Sequence, residues 1–270
     1  MLIDTHCHLN FKAFNDDWRA VIGRAQKAGV RKMVVVGTDL ESSRRAVEIA
    51  NGVEGVYATV GLHPHHCRGL KSRLENIKGQ LKILAKNKKV VAIGECGLDY
   101  HVYKQSEYKD VRLTTELKNR QKRVWGMQIQ LAKELNLPMV IHNRRADEEL
   151  LDTLEHFCKD DGKYPRGVFH CISGSKKYLA RVLKMGFYVG VDGNVTYSQG
   201  VQELAKEIPM ERLVIETDSP FLTPKPYRDL RNEPKNVKIV TEFLGKLKKL
   251  TFDQIEASTT RNAEAVFKLK

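Results

Sequence analysis

The chain has 270 residues, and 41% of them are hydrophobic, a proportion typical of a globular protein with a large buried core. Its 46 Lys and Arg residues outnumber the 33 Asp and Glu residues, which gives a net charge of +13. This charge suits nucleic acid as a partner, but a lysine-rich surface that only maintains solubility explains it equally well. The longest apolar runs are far shorter than the roughly 18 residues needed to span a bilayer, so we expect no membrane segment.

The cysteines indicate a reducing environment. Cys7, Cys67, Cys96, Cys158 and Cys171 form an odd, scattered set without the C-x-x-C spacing of zinc ribbons or redox motifs. The N-terminus lacks the basic and apolar regions of a signal peptide. We therefore predict a cytoplasmic protein with reduced thiols.

Eight short runs rich in β-branched residues alternate with segments of helical spacing along the whole chain. The runs cover residues 2–4, 33–36, 56–60, 90–94, 139–141, 167–169, 187–191 and 213–215. Apolar strands separated by helices are typical of a parallel sheet that is buried on both faces. Eight repeats favour a single α/β domain over residues 1–270 that forms a (β/α)8 TIM-type barrel, and a doubly wound open sheet is the alternative.

The first predicted strand leads into a pair of histidines. His6 and His8 stand two positions apart, so in an extended chain they share one face and can bind one ion together. The same alternation turns Cys7 away from that face. Cys96 and Cys171, each beside a further candidate ligand, are expected to turn away for the same reason, which argues against a catalytic thiol.

Four more polar residues end or closely follow later predicted strands. They are Glu95, His142, His170 and Asp218. Any one of them could be a hydrogen-bonded core histidine, a helix N-cap or part of an ion pair. Because the carboxyl ends of barrel strands meet at one mouth, all of them should converge with His6 and His8, and such a cluster predicts a divalent metal site.

The six predicted ligands exceed the needs of one tetrahedral ion. A carboxylate can bridge two ions, so we predict two divalent ions with Glu95 as the bridge. Zn, Mg or Mn would each accept this mixture of nitrogen and oxygen ligands.

Seven motifs, in order and spread over nearly the whole chain, resemble those of the TatD family of metal-dependent deoxyribonucleases, within the amidohydrolase-like barrels. They are Asp4-Thr5-His6-Cys7-His8-Leu9, Gly61-Leu62-His63-Pro64, Gly94-Glu95-Cys96-Gly97-Leu98-Asp99-Tyr100, Leu137-Pro138 through Ile141-His142, Phe169-His170-Cys171 with Ser173-Gly174-Ser175, Glu216-Thr217-Asp218-Ser219-Pro220, and Asn232-Glu233-Pro234.

This resemblance implies a (β/α)8 barrel that cleaves phosphodiester bonds, commonly from a DNA 3′ end. It implies a first metal held by His6, His8, Glu95 and Asp218, and a second held by Glu95, His142 and His170. It also suggests that His63 and Arg144 contact the substrate. We expect single-stranded DNA ends as the partner and no obligate protein partner.

Two departures from the family pattern concern the substrate. Arg145 stands where the family usually has an acidic residue, and the segment from Tyr103 to Lys118 looks longer than the family norm. Because this segment follows the strand of Glu95, we expect it to border the mouth. Tyr100, Tyr103 and Tyr108 could stack on unpaired bases there, although a packing role is at least as compatible with the sequence.

In the predicted mechanism, two ions polarise the phosphoryl group, and Asp218 accepts the proton of the attacking water. Glu95 keeps the ions in register, while His63 or Arg144 steadies the phosphate or the leaving oxygen. One alternative retains the metal ions but hydrolyses a different bond, as in a D-aminoacyl-tRNA deacylase, which cleaves an acyl ester, or another amidohydrolase-like activity. Another is a non-enzymatic nucleic-acid-binding module, but structural zinc sites are usually closed and rich in thiolates.

Overall fold

Eight parallel strands pair in the order in which they occur along the chain. The computed structural model describes residues 1–68, 70, 74–104, 112–160 and 162–269. The strands are β1 (Leu2–Cys7), β2 (Val30–Val36), β3 (Val56–Val60), β4 (Val90–Asp99), β5 (Met139–Arg144), β6 (Gly167–Phe169), β7 (Tyr188–Val191) and β8 (Leu213–Ile215).

The gap between the last strand and the first is bridged just beyond the end of β8. The amide of His8 donates to the carbonyl of Ser219 at 2.7 Å, and the amide of Asp218 donates to the carbonyl of His6 at 2.9 Å. These bonds close the sheet into a barrel, which confirms the predicted (β/α)8 architecture over the open sheet. They also hold Asp218 beside the two histidines of β1.

Helices surround the barrel on the outside. Those in the described residues are α1 (Trp18–Lys27), α2 (Leu40–Gly52), α3 (Leu74–Leu84), α4 (Thr115–Leu135), α5 (Asp147–Cys158), α6 (Lys176–Lys184), α7 (Gln199–Glu207), α8 (Val237–Lys248) and α9 (Phe252–Phe267). Within this described part, no helix combines the length and the apolar character needed to cross a membrane.

The apolar side chains of the strands belong to two separate clusters, as the alternation of a strand requires. In β2, Met33 and Val35 pack in a large cluster with the surrounding helices. Val34 and Val36 pack in a smaller cluster that also contains Val266 and Phe267 of α9. The smaller cluster therefore fills the inside of the barrel below the polar mouth, and α9 contributes to it.

Two strands carry an extra residue next to a predicted ligand. Residues 4–7 of β1 pair with residues 33–35 of β2, and residues 93–96 of β4 pair with residues 139–141 of β5. An extra residue reverses the alternation of side chains beyond it. As a result Cys7 and Cys96 pack in the outer cluster, while His6 and Glu95 lie at the mouth.

Three strands continue past the C-terminal ends of their apolar runs. β1, β4 and β5 continue through polar residues to Cys7, Asp99 and Arg144, because polar side chains at these ends face the mouth instead of the core. The predicted excursion from Tyr103 to Lys118 is described only in part, since residues 105–111 lie outside the described residues. Its last residues begin α4.

We predict that Gly97→Ala destabilises the barrel. Gly97 has a φ of 146°, and an added Cβ would lie 1.9 Å from the carbonyl oxygen of His142 on the neighbouring strand. Strain and overpacking should lower the free energy of unfolding by roughly 3 kcal/mol, measured from urea unfolding curves.

Gly79→Ala is the matched control. Gly79 lies in α3, and nothing stands within 4 Å of its added Cβ. Alanine should leave stability unchanged or raise it by up to about 1 kcal/mol, because it is the better helix former. Equal midpoints for the two variants would contradict the prediction.

Candidate metal centre

A cavity of about 650 Å³ opens at the carboxyl ends of the barrel strands. Five of the six predicted ligands line it: His8, Glu95, His142, His170 and Asp218. The sixth, His6, is fully buried directly behind them. The barrel therefore brings the six residues together, although they are spread from position 6 to position 218.

The first donor group lies at the seam between β1 and β8. His6 Nε2 is 3.1 Å from His8 Nε2, 3.5 Å from Glu95 Oε2 and 3.5 Å from Asp218 Oδ1. His8 Nε2 is 3.7 Å from Glu95 Oε2 and 3.3 Å from Asp218 Oδ1. Two imidazole nitrogens and two carboxylate oxygens thus face one point.

The second donor group lies around the other oxygen of the same glutamate. Glu95 Oε1 is 2.9 Å from His142 Nδ1, 2.8 Å from His170 Nε2 and 3.4 Å from His63 Nε2. His142 Nδ1 and His170 Nε2 are 3.2 Å apart. Glu95 therefore presents one carboxylate oxygen to each donor group.

The spacing of these atoms fits bound metal. Ligand atoms that surround one ion tetrahedrally at metal–ligand distances of 2.0–2.2 Å lie roughly 3.3–3.6 Å from one another. The contacts within the two groups, from 2.8 to 3.7 Å, bracket this range. Nitrogen and carboxylate oxygen are also the donors that Zn and Mn accept.

Comparison with known proteins identifies the family. A family model described as TatD related DNase matches residues 3–268. The chain belongs to the TatD family. It is 41% identical to an uncharacterized metal-dependent hydrolase, YabD, of Bacillus subtilis, over 100% of both chains.

Two further relatives extend the comparison of this TatD-family protein. It is 32% identical to a protein of Pantoea ananatis named 3′-5′ ssDNA/RNA exonuclease TatD, over 99% of this chain and 100% of the relative. The crystal structure of YJJV, a TatD homologue from Escherichia coli, superposes with a TM-score of 0.86 at 30% identity, covering 100% and 98% of the two chains. These matches confirm the predicted family, the barrel and the enzyme class, a metal-dependent hydrolase.

Electrostatics keep His6, Glu95 and Asp218 of this TatD-family site in the forms that bind metal. Burial, together with the nearby His170, lowers the pKa of His6 to about 4, so its ring is neutral. Burial disfavours the charge on Glu95, but the surrounding histidines outweigh this and hold its pKa well below the usual range. The pKa of Asp218 is likewise lowered, against the effect of burial, by His8 and His6.

Asp99, in the Gly97-Leu98-Asp99-Tyr100 motif, also belongs to the TatD-family site, although its place in the sequence predicted no role for it. Its Oδ2 is 3.2 Å from His142 Nε2 and 2.8 Å from His65 Nε2, and it accepts a 2.7 Å hydrogen bond from Tyr103. Burial opposes a positive His142 ring, but hydrogen bonds to Asp99 and Glu95 prevail and raise its pKa to about 9. Asp99 therefore orients His142 from behind.

Two buried carboxyl groups lie below the donor groups. Glu216 Oε1 accepts a hydrogen bond from the amide of Cys171 and lies 3.7 Å from His170 Nδ1. Asp4 accepts hydrogen bonds from the amide and the hydroxyl of Thr217, which ties β1 to the segment after β8. Burial raises the pKa of Glu216 well above its usual range and that of Asp4 to about 7. Both residues stand in motifs that resemble the TatD family, but strand alternation alone does not distinguish them from metal ligands.

The thiols of Cys7 and Cys96 confirm the cysteine prediction, and that of Cys171 leaves it untested. The Cys7 thiol donates to the carbonyl of Val34 and the Cys96 thiol to that of Val140, so both turn away from the site. Cys171 borders the cavity, but its sulfur accepts a hydrogen bond from Asn194 Nδ2 at 3.7 Å, and the expected turn of its thiol away from the site stays a prediction. Cys171 follows the end of β6 with a φ of 48°, so strand alternation does not apply to it.

The predicted substrate residues lie on the side of the cavity formed by β3 to β5. His63 and Arg144 both line the cavity, and Arg144 is exposed. Arg145, which replaces the expected acid, is exposed with a φ of 58° and is absent from the described cavity lining. Tyr100 is only 8% exposed and packs in the core, whereas Tyr103 lines the cavity. Tyr108 lies outside the described residues.

We expect the native TatD-family protein to react slowly with a thiol reagent such as DTNB near neutral pH. Burial raises the pKa of Cys67 to about 12 and those of Cys7, Cys96 and Cys171 well above the usual range. Below a raised pKa the thiol keeps its proton, so the reactive thiolate is scarce.

The measurement is the rate of thiol release before and after unfolding in urea. Five thiols per chain should react quickly only after unfolding. A fast thiol in the native protein that disappears in Cys171→Ser would show that the cavity holds a nucleophilic cysteine, and would contradict the expectation.

Proposed function

We propose that this protein is a 3′-5′ exodeoxyribonuclease that hydrolyses phosphodiester bonds at single-stranded DNA ends with the help of two divalent ions. One observation carries the proposal: Glu95 Oε1 and Oε2 face two separate donor groups. Paired ions about 3.5–4 Å apart are typical of enzymes that cleave phosphate esters. The relative from Pantoea ananatis named a 3′-5′ ssDNA/RNA exonuclease supports a single-stranded nucleic acid as the substrate and the 3′ end as the place of cleavage.

Two sets of ligands follow from this arrangement. We assign His6, His8, Glu95 and Asp218 to the first ion and Glu95, His142 and His170 to the second. When bound, the ions would supply Lewis-acid activation of the phosphate and of water. His63 Nε2 lies 3.4 Å from Glu95 Oε1, close enough to complete the second group or to contact the substrate beside it.

The protein's own side chains would handle the proton and the phosphate. Asp218 is the proposed proton acceptor because its carboxylate is 14% exposed, whereas that of Glu95 is 5% exposed and that of Asp99 is 1% exposed. Water therefore reaches Asp218 most easily. Arg144 is an exposed residue of the cavity lining, with its guanidinium carbon 6.0 Å from the centroid of the Tyr103 ring, and it would pair with a phosphate oxygen at the cavity rim.

The substrate is tested by parallel assays. Purified protein is incubated with 3′-labelled and 5′-labelled single-stranded DNA, single-stranded RNA, D-aminoacyl-tRNA and small esters, with Zn, Mg or Mn added and with a chelator. We expect chelator-sensitive shortening of DNA from the 3′ end. Turnover of an acyl ester alone would refute the nuclease proposal, and turnover of RNA alone would refute the choice of DNA.

Four conclusions from the sequence stay predictions. They are a single domain over residues 1–270, a cytoplasmic location, no obligate protein partner, and Zn, Mg or Mn as the metal. The donor set accepts all three ions, so metal content after purification is the direct measurement.

We predict that Asp218→Asn lowers kcat on single-stranded DNA by about 100- to 10,000-fold, because the amide cannot accept the proton of the attacking water. Metal content, measured by mass spectrometry, should largely persist, since the amide oxygen can still act as a ligand. The matched control is Asp160→Asn, a change at an exposed position after α5. Undiminished kcat with both ions bound would rule out Asp218 as the base.

Asp99→Asn should weaken metal binding about 10- to 100-fold, because the partner that orients a ligating histidine is altered. The change leaves the size of the side chain nearly the same but removes the charge beside His142 Nε2. Metal affinity is measured by titration against a competing chelator, and stability by urea unfolding. Lower stability with unchanged metal affinity would mean that Asp99 only supports the fold.

A further inference from the structure

Two phenylalanines form an aromatic corner on the side of the cavity where β8 meets β1. Phe11 and Phe221 both line the cavity. The ring of Phe11 stacks on that of His8, with centroids 4.3 Å apart and an interplanar angle of 15°. The ring of Phe221 stands at 71° to that of Phe11, with centroids 6.2 Å apart. The corner therefore adjoins the first donor group directly.

The ring of Phe221 is held in an exposed position. The residue is 52% exposed, and its backbone is fixed on both sides: its amide donates to the carbonyl of Asp218, and its carbonyl accepts from the side chain of Asn232. A single exposed apolar side chain needs no functional explanation. This one, however, borders a polar cavity and is anchored to a proposed ligand.

The tyrosines considered in the sequence are less suited to stacking on a base. Tyr100 is buried. The hydroxyl of Tyr103 donates to Asp99, and its ring packs edge-on against the rings of His65 and His101. Tyr103 also belongs to the segment after β4, which lies across the barrel from the seam of β1 and β8. Phe221 combines exposure with a place beside the first donor group.

We propose that Phe11 and Phe221 form a stacking subsite for an unpaired nucleobase next to the scissile phosphate. This proposal rests on the proposed nuclease function. Phosphate would bind at the donor groups, and the attached base would lie against the exposed ring of Phe221 with its edge toward Phe11. Phenylalanine offers no hydrogen-bonding group, so the subsite accepts every base but requires one that is not paired in a duplex.

The test compares two single-stranded oligonucleotides that differ only in the last two nucleotides of the 3′ end, which either carry bases or are abasic. For the wild type, loss of the bases should lower kcat/KM roughly 5- to 100-fold, mainly through KM. In Phe221→Ala, the ratio of kcat/KM for the oligonucleotide with bases to that for the abasic one should fall to about 2-fold or less. Phe221→Trp should keep the ratio, because it retains an aromatic face.

Ile83→Ala is the matched control. Ile83 lies on α3, is 66% exposed and does not line the cavity, so this variant should keep the wild-type ratio. Phe221→Leu, which keeps an apolar side chain without an aromatic face, provides a second variant in case alanine alters the local backbone. In Phe221→Leu the ratio should also fall to about 2-fold or less, as in Phe221→Ala.

The outcomes separate this proposal from the one on which it rests. Suppose that the wild type cleaves DNA but that both Phe221→Ala and Phe221→Leu retain the wild-type ratio. The proposed stacking subsite is then wrong, and the nuclease function stands. If the wild type cleaves neither oligonucleotide, both proposals fail. Fluorescence of 2-aminopurine at the 3′ end gives an independent readout in the presence of chelator: the wild type should quench it on binding, and Phe221→Ala should not.

Discussion

The buried carboxylate of Glu95 is the constraint on which the mouth of the barrel depends. A carboxylate is costly to bury unless charges or hydrogen-bond donors compensate for the lost water. Here five imidazole rings, those of His6, His8, His63, His142 and His170, lie within 3.7 Å of its two oxygens. Their arrangement leaves the donor atoms at distances that metal ligands adopt. The polar groups at the ends of five strands thus form one connected site.

The barrel keeps this polar cluster separate from its apolar interior. Below the mouth, strand side chains pack with the end of α9, and outside, the opposite strand faces pack against the helices. The seam of β1 and β8 is joined by backbone bonds at His6, His8, Asp218 and Ser219. The same contacts that close the barrel therefore position the first donor group, so stability and site geometry are coupled there.

The rim of the cavity differs in character from one side to the other. The side of β3 to β5 is polar, with His65, Tyr103 and Arg144, whereas the side of β8 and β1 carries Phe11 and Phe221. A nucleotide end has the same division between a charged phosphate and an apolar base face. The exposed Arg144 lies at the rim where phosphate would enter, so it places part of the protein's net positive charge beside the proposed substrate.

The sequence by itself determined the eight strands, their burial and the six polar residues at their ends, because apolar runs and their polar ends are local features. It could not predict the left-handed backbone of Cys171, which breaks the alternation, the contact of Asp99 with His142, or the place of Phe221 at the cavity. Only the tertiary structure decided the direction of His6 and Glu95, because one extra residue in β1 and in β4 reverses the alternation. An extra residue of this kind is defined by the pairing with a neighbouring strand, and the residues of one strand alone do not determine that pairing.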